Sequence, residues 1–273
     1  MFQRIKQLRT SDAVVHQIEE LILGGVLRPG ERLPAERDLA TELDVSRPVL
    51  REAFKILEVR GLICSKRGGG TFIADVIGPI FSEPIVSLIE RHPVATSDYL
   101  EYRRDMEATA AGHAAMRATP ADHRNLRDIV ARMQSAYEAD DRQLEAELDI
   151  EFHQAVGEAA HNVILMHSLR SCYRLLENGV FFNRGRLYDH PTAREMVLKQ
   201  HAFIADCIIA GDPDGARKAS TDHIDYVRSA MAEAEQRAER GALADIRRQH
   251  RSQASETQPS ERPVRRRKTS TSL

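Results

Sequence analysis

Four side chains in the second half of the chain have the types and spacing of a metal-binding set. Asp149 and His153 lie four residues apart in a helical segment, so they share one helix face. His201 and His223 flank a turn near residue 212. In an antiparallel helix pair, at ~1.5 Å per residue, both would lie roughly 15 Å from that turn. One carboxylate and three imidazoles at one level predict a site for Zn²⁺, Ni²⁺ or Mn²⁺ with an open coordination position. The alternative is four unrelated surface or core residues.

A second pattern, near the N-terminus, has the chemistry of a polyanion-binding surface. Arg47, Arg51 and Lys55 form a basic stripe at i, i+4 and i+8 of a predicted helix at 46–60, and the apolar stripe follows another side. Such a helix fits the major groove of DNA, where its N-terminal residues reach base edges. We therefore assign Arg47 to a bidentate guanine contact, and Ser46 at the helix start to a phosphate.

Two neighbouring features extend this basic surface. A short predicted helix at 35–43 and a tight break complete a helix-turn-helix pattern, and Arg37 on that helix is a candidate phosphate or base contact. After residue 61, two short strands flank a glycine-rich loop whose backbone can approach a minor groove closely. The candidate contacts in the loop are Lys66, Arg67, Gly68 and Gly69. Each cation alone fits a solvated surface, and only the combination favours DNA binding.

The same segment resembles a known family. RLPAERDLATELDVSRPVLREAFKILEVRGLICSKRGGGTFI, residues 32–73, resembles the winged-helix domain of the GntR family of bacterial transcription regulators. The region after it resembles the helical effector domain of the FadR-type branch, and segments 81–93 and 158–169 are similar to members that respond to pyruvate, lactate or glycolate. The resemblance implies repression that an effector relieves. The DNA contacts it implies are Arg37, Ser46, Arg47, Arg51 and Gly68.

The resemblance also bears on the metal set and on its ligand. D-x-x-F-H followed by two helical histidines is similar to the metal-site pattern of this branch. Arg103 matches the E-x-R-x-x-x-E pattern that opens the helical domain, and its guanidinium is a candidate to hold an effector carboxylate bidentately. The alternative for Arg103 is an internal ion pair with Glu107. Further candidates for the same cavity are Arg170, Arg174, Asn178 and Asn183.

Hydrophobic periodicity and punctuation by Gly and Pro predict the scaffold that positions these residues. The expected fold class is mainly α, with an N-terminal winged helix-turn-helix and a C-terminal antiparallel bundle of about six helices. The expected domains are 8–75 for DNA binding, 76–96 as a linker, 97–240 for effector binding and dimerisation, and 241–273 as a disordered basic tail. The expected bundle helices are 97–118, 120–139, 141–160, 162–186, 190–210 and 213–240.

Composition narrows the class of protein. The chain of 273 residues is long enough for two domains. Residues 75–245 carry 19 basic and 29 acidic groups, whereas residues 246–273 carry 8 and 2, so a polyanion should meet the ends of the chain. A mean hydropathy of -0.43 and the lack of an apolar run near about 18 residues exclude a membrane span. Three widely spaced cysteines indicate a reducing, cytoplasmic location.

These features predict a DNA-binding transcriptional regulator and no enzymatic activity. We expect a homodimer on a pseudo-palindromic operator, acting as a repressor of carboxylate metabolism genes. A 2-hydroxy or 2-oxo acid such as lactate, glycolate or pyruvate, bound beside a divalent metal, would release it. A ligand changes DNA affinity only by binding two conformations differently, and we expect the linker at 76–96 to reorient. Two alternatives stay open: a metal-dependent enzyme, and an architectural DNA-binding protein without an effector.

Overall fold

The computed structural model describes residues 10–66, 69–75, 83–177 and 191–256. It is mainly α-helical, with one two-stranded antiparallel sheet among the described residues, and the predicted fold class is confirmed. The N-terminal elements are α1 (Thr10–Leu23), α2 (Glu36–Glu42), α3 (Arg47–Val59), β1 (Ile63–Lys66) and β2 (Gly70–Ile73).

The N-terminal elements share a core of their own. α1 packs on α3, and the apolar positions of both helices are buried together with Leu33, Ile63 and Ile73. Ile63 pairs with Ile73 in the sheet, so the two strands cover one end of this core. Gly61 follows α3 with a φ of 72°, a left-handed conformation that suits glycine at a helix C-terminus. This turn redirects the chain from the third helix into the hairpin.

The remaining elements are helices. They are α4 (Glu83–Arg91), α5 (Pro93–Arg117), α6 (Pro120–Glu138), α7 (Arg142–Ala159), α8 (Val163–Glu177), α9 (Pro191–Ala210) and α10 (Pro213–Glu256). α5 packs along α10, α6 along α7, and α9 along α10. The largest apolar cluster lies between these helices and includes the fully buried Leu148, Phe152 and Ile208. None of the described helices combines the length and apolar character needed to cross a membrane.

Two segments differ from the sequence expectation. The predicted linker at 76–96 contains α4 and the start of α5, because the residues after Pro84 follow a helical period and α4 packs beside α5. Val86 contacts the apolar cluster that includes Tyr99 of α5, whereas Ile85 and Leu88 are exposed. The predicted tail begins at 241, but α10 continues to Glu256. Residues 241–250 are exposed along their length, so intrinsic helix propensity rather than core burial accounts for this extension. Residues 178–190, which include the predicted end of the 162–186 helix, and residues 257–273 lie outside the described part.

Candidate metal centre and nucleic-acid interface

The third helix separates an apolar face from a basic one. Its four buried side chains enter the N-terminal core, whereas Arg47, Arg51 and Lys55 are exposed. Arg51 Nε donates to Glu36 Oε2 at 2.7 Å, a surface ion pair of small net free energy that a phosphate can replace. Ser46 is the exposed N-cap, and its side chain makes no capping hydrogen bond, so its hydroxyl is not committed to the helix end. The predicted basic stripe therefore faces solvent.

The hairpin loop adds a second basic region. The Lys66 ammonium lies 4.7 Å from the centre of the Phe72 ring, a cation–π contact that holds the lysine at the end of β1. Gly69 N–H donates to Lys66 O at 2.9 Å and closes the turn. Arg67 and Gly68 lie outside the described residues, so their proposed DNA contacts stay predictions.

Sequence reasoning missed one cation beside this loop. Arg32 is exposed, and a Cβ built at Gly70 would lie 2.8 Å from Arg32 Nε, so the arginine crosses directly over the glycine backbone. Arg32 also forms an isolated β-bridge with Phe72. Its place beside the hairpin arises from this tertiary pairing, which residue spacing does not reveal. Arg37, by contrast, was expected at the surface, and it is exposed there next to Asp38.

Three helices bring the four candidate metal ligands together. α7 carries Asp149 and His153 one turn apart, α9 carries His201 and α10 carries His223. α9 and α10 are joined at Gly211, whose φ of 69° permits a tight turn. This is the turn from which His201 and His223 were expected to lie equally far. The relative exposures of the four residues are 1%, 3%, 0% and 0%. The structure thus places the predicted quartet inside the helical bundle.

The nitrogen and oxygen atoms of the quartet converge. One ligand atom from each of the three histidines lies within 4.8 Å of the others. His153 Nε2 and His201 Nε2 are 3.3 Å apart. Asp149 Oδ1 lies 3.6 Å from His201 Nε2, and Asp149 Oδ2 lies 3.9 Å from His153 Nε2. This cluster, Asp149 with the three histidines, is called the quartet below.

Two neighbouring side chains set the orientation of the imidazoles. His153 Nδ1 lies 2.8 Å from Glu107 Oε2, and His223 Nδ1 lies 3.0 Å from Gln200 Oε1. Carboxylate and amide oxygens only accept hydrogen bonds, so we assign the proton to Nδ1 in both rings. The Nε2 lone pairs then face the quartet, as metal ligation requires. His223 Nε2 is buried and has no hydrogen-bond partner among the described residues.

The electrostatics of the site favour a neutral imidazole at His223. Burial lowers the pKa of His223 well below its usual value, and the neighbouring His201 and His153 lower it further. A neutral imidazole keeps the lone pair that a cation needs. Three imidazole nitrogens and one carboxylate, with His223 Nε2 lacking a hydrogen-bond partner among the described residues, are a donor set that fits Zn²⁺, Ni²⁺ or Mn²⁺.

Arg103 lies beside the quartet and is 2% exposed. Its Nε donates a hydrogen bond to Glu107 Oε1. Arg103 therefore forms the internal ion pair that the sequence offered as the alternative to binding an effector. Burial acts to lower the pKa of Arg103, but Glu107, Tyr99, Tyr173 and Asp149 together outweigh burial and raise the pKa above its usual value, so the guanidinium stays charged. Its Nη2 is buried without a hydrogen-bond partner among the described residues, which leaves a donor for a ligand. Its Cζ lies 5.6 Å from the centre of the Tyr173 ring.

The other cavity candidates are not placed at the quartet. Arg170 contacts the N-terminal region instead, since its Nη2 donates to Gly25 O at 3.1 Å. The same Nη2 donates to Glu158 Oε1 on α7 at 2.7 Å. Asn178, Asn183 and the side chain of Arg174 lie outside the described part.

Sequence reasoning missed two residues at the quartet. Glu107 was considered only as a partner of Arg103, and Gln200 was not considered at all. Gln200 immediately precedes His201, but its contact with His223 depends on how α9 and α10 pair. The spacing of four residues on one helix predicts the contact between Glu107 and Arg103. His153 belongs to another helix, so sequence spacing does not predict its contact with Glu107.

Comparisons with known proteins identify both halves of the chain. Residues 10–73 match the model of bacterial regulatory proteins of the gntR family, and residues 98–226 match the FCD domain. An Escherichia coli (strain K12) protein named "Putative L-lactate dehydrogenase operon regulatory protein" is 37% identical over 82% of this chain and 86% of its own length. The Glc operon transcriptional activator of the same strain is 32% identical, covering 82% and 89%. The regulator LutR of Bacillus subtilis (strain 168) is 29% identical, covering 78% and 96%.

These matches confirm the resemblance drawn from residues 32–73 and from the helical region after them. The family model places a DNA-binding region at the N-terminus, where the exposed basic helix lies. The FCD match spans the quartet and Arg103. The chain therefore belongs to the gntR family of bacterial regulatory proteins, in its FadR-type branch with an FCD domain, and it is a DNA-binding transcription regulator rather than an enzyme.

Proposed function

We propose that this regulator represses genes of carboxylate metabolism and leaves its operator when a small 2-hydroxy or 2-oxo acid binds beside a divalent metal ion. The observation that carries the proposal is a buried donor quartet next to a buried guanidinium whose Nη2 has no hydrogen-bond partner in the described part of the chain. Glu107 compensates the charge of Arg103, but a buried donor such as Nη2, which has no hydrogen-bond partner among the described residues, is costly unless a ligand supplies an acceptor. Lactate, glycolate and pyruvate are the candidate acids.

The roles of the side chains follow from their chemistry. Asp149, His153, His201 and His223 would hold the ion, with Zn²⁺, Ni²⁺ and Mn²⁺ as candidates. The bound ion supplies Lewis-acid attraction for the oxygen atoms of the acid. Arg103 would donate hydrogen bonds from its Nη atoms to the carboxylate of the acid. This arrangement favours a planar anion.

The DNA-binding proposal rests on the exposed basic surface. Arg47 would read a guanine in the major groove, with Arg51 and Lys55 beside it along α3. The remaining proposed contacts, to phosphates or the minor groove, are Arg37, Ser46, Lys66, Arg67, Gly68 and Gly69. A homodimer would place two such surfaces on a pseudo-palindromic operator, in the cytoplasm where bacterial DNA lies.

The names of the relatives support the class of effector, and they are compatible with either repression or activation. They include a regulator of an L-lactate dehydrogenase operon and a Glc operon activator. Activation is therefore the second candidate. A reporter gene behind the operator, with and without the regulator gene, distinguishes them: deletion raises expression if the protein represses and lowers it if the protein activates.

A thermal-shift screen tests the sensing proposal. The purified protein, loaded in turn with Zn²⁺, Ni²⁺ or Mn²⁺, is heated with lactate, glycolate, pyruvate or acetate, and each sample is repeated after chelation. We expect at least one 2-hydroxy or 2-oxo acid to raise the unfolding temperature only in a metal-loaded sample, because a ligand that binds the folded state stabilises it. Equal stabilisation with and without chelator, or none with any acid, would contradict the proposal.

A further inference from the structure

The Glu107 carboxylate joins the two parts of the candidate receptor. One oxygen, Oε2, lies 2.8 Å from His153 Nδ1, and the other, Oε1, accepts a hydrogen bond from Arg103 Nε. The Glu107 side chain is 3% exposed, so it is shielded from bulk solvent together with both partners. One buried group on α5 therefore contacts both a quartet histidine and the guanidinium next to the quartet.

The Arg103 guanidinium forms an ion pair with the Glu107 carboxylate. A carboxylate in an ion pair is a hydrogen-bond acceptor at both oxygens. It therefore fixes the proton of His153 on Nδ1 and leaves the Nε2 lone pair toward His201 and Asp149.

The contact with Arg103 has a second consequence. Because Nε of the guanidinium is bound to Glu107, the group cannot rotate freely, and the unpartnered Nη2 is held in one direction. The Tyr173 ring, 5.6 Å from Cζ, restricts the same guanidinium from another side. A donor with fixed orientation loses less conformational freedom when it binds an anion.

We propose that Glu107 is a positioning residue that orients His153 toward the metal and Arg103 toward the acid. This inference rests on the proposed function of the quartet and adds a residue that acts through two others. A purely structural ion pair would leave metal affinity unchanged when the Oε2 oxygen is replaced. For a positioning residue, metal affinity depends on a hydrogen-bond acceptor at the Oε2 position.

Glu107→Gln tests this point because it keeps the shape and removes one acceptor. The glutamine oxygen can serve His153 or Arg103 but not both, and its amide group then faces a donor. If the amide faces His153, the ring accepts at Nδ1 and carries its proton on Nε2, the wrong tautomer for ligation. We expect a loss of Zn²⁺ affinity of about 10- to 100-fold, the usual effect of removing a partner behind a metal ligand.

The chain offers a matched control in Glu145→Gln. Glu145 is also buried, also lies near the quartet on α7, and also pairs with a buried arginine, Arg194. None of its hydrogen bonds reaches a quartet histidine among the described contacts. The two variants should lose similar stability without metal, so a difference in metal affinity reports orientation rather than folding.

The measurement is the Zn²⁺ dissociation constant of the full chain by competition with a coloured chelator, with urea unfolding of the metal-free proteins alongside. Weaker zinc binding by Glu107→Gln, with Glu145→Gln close to wild type, supports the proposal. Wild-type affinity in Glu107→Gln, or equal losses in both variants, overturns it.

The outcomes separate this inference from the proposed function. If wild type binds zinc but no acid stabilises it, the sensing proposal fails while the role of Glu107 at the metal stands. If acids act through the metal but Glu107→Gln binds zinc normally, only the role of Glu107 fails. A wild-type protein that binds none of Zn²⁺, Ni²⁺ and Mn²⁺ contradicts both.

Discussion

At the scale of single residues, the function of this regulator depends on which nitrogen of each buried imidazole carries the proton. Acceptor oxygens lie close to Nδ1 in both rings and favour the proton there: Glu107 Oε2 is 2.8 Å from His153 Nδ1, and Gln200 Oε1 is 3.0 Å from His223 Nδ1. The neutral state that ligation needs is favoured at His223 by burial, which lowers its pKa. The quartet is thus prepared for a metal ion by partners that are not themselves members of the quartet.

The role of Gln200 is tested by Gln200→Ala. Without the amide oxygen, the His223 ring loses its orientation, and we expect Zn²⁺ affinity to fall about 10- to 100-fold. Gln134→Ala is the control, because Gln134 lies on the exposed surface of α6, where its amide donates to Glu138 on the same helix. Equal zinc affinity in the two variants would show that Gln200 does not orient the ligand.

The guanine contact assigned to Arg47 is tested on DNA. Arg47→Ala should cost roughly 1–3 kcal/mol of discrimination between the operator and a site with the contacted guanine replaced. Anisotropy titrations on both sequences measure this difference. The control is Arg132→Ala, since Arg132 pairs with Glu151 on the helical bundle. An equal loss on both DNA sequences would mean that Arg47 contacts phosphate only.

Residue spacing was sufficient for some of these positions and insufficient for others. Asp149 and His153 follow from helical periodicity, and His201 and His223 from their symmetry about the turn at Gly211. Glu107 Oε2 and Gln200 reach their histidines across helix pairs, and Arg32 reaches the hairpin through a β-bridge. Such contacts depend on packing between elements, which no local pattern contains.

At the scale of elements, the start of α6 shows how local chemistry fixes a helix of the bundle. Thr119 and Asp122 form a reciprocal capping box, and Asp122 Oδ2 also lies 2.9 Å from His161 Nε2. Pro120 at the first turn fits the same arrangement, because its missing N–H would have no partner there. The turn before α8 is thereby tied to the start of α6.

The capping box makes a prediction about pH. Burial would raise the pKa of Asp122, but hydrogen bonds from Thr119 and His161 outweigh it and lower the pKa below 3.8. A folded-state pKa below the unfolded value means that the carboxylate stabilises the fold above pH 3.8 and that this contribution is lost as pH falls through the folded pKa. Asp122→Asn should therefore cost about 1 kcal/mol near neutral pH and progressively less in acid.

Urea unfolding of wild type and Asp122→Asn at several pH values measures this effect. Asp128→Asn is the control, because Asp128 is exposed on the same helix and its ion pair with Arg132 is long, at 3.8 Å. A difference between wild type and Asp122→Asn that stays constant from neutral to acid pH would contradict the assigned cause.

Helix limits show where element-scale reasoning succeeds. Thr119-Pro120 and Gly211 to Pro213 mark helix ends because caps and left-handed turns are local signals. α4 was not predicted from the sequence, because its segment is rich in proline, although its apolar residues have a helical period. The extension of α10 to Glu256 was missed because exposed helix needs no apolar stripe.

At the scale of the whole molecule, polar contacts connect the DNA-binding region to the helical bundle. Arg170 on α8 donates to Gly25 O, and Glu158 accepts from both Arg170 and Arg28. A Cβ atom added at Gly25 would lie 2.6 Å from Arg170 Nη2, so the guanidinium lies directly against the Gly25 backbone. The same helix carries Tyr173, which lies under Arg103.

Arg170→Gln should loosen this connection. We expect faster amide hydrogen exchange at the end of α1 and in the following turn, around residues 22–28, with little change within α7. Arg132→Gln, which removes a surface ion pair within the bundle, should leave exchange in 22–28 unchanged. Unaltered exchange in Arg170→Gln would mean that the contact contributes nothing to holding the two regions together.

The most direct test of metal-dependent acid sensing is the DNA affinity of the full chain on an operator selected from genomic fragments. Fluorescence anisotropy is recorded for metal-loaded wild type, chelated wild type and His223→Ala, each with and without lactate, glycolate or pyruvate. We expect at least one acid to weaken DNA binding of the metal-loaded wild type by about 5- to 150-fold, the usual range of coupling between two sites, and to have no effect on the other two samples. Equal DNA affinity with and without every acid, or an acid effect that persists in His223→Ala, would contradict the account.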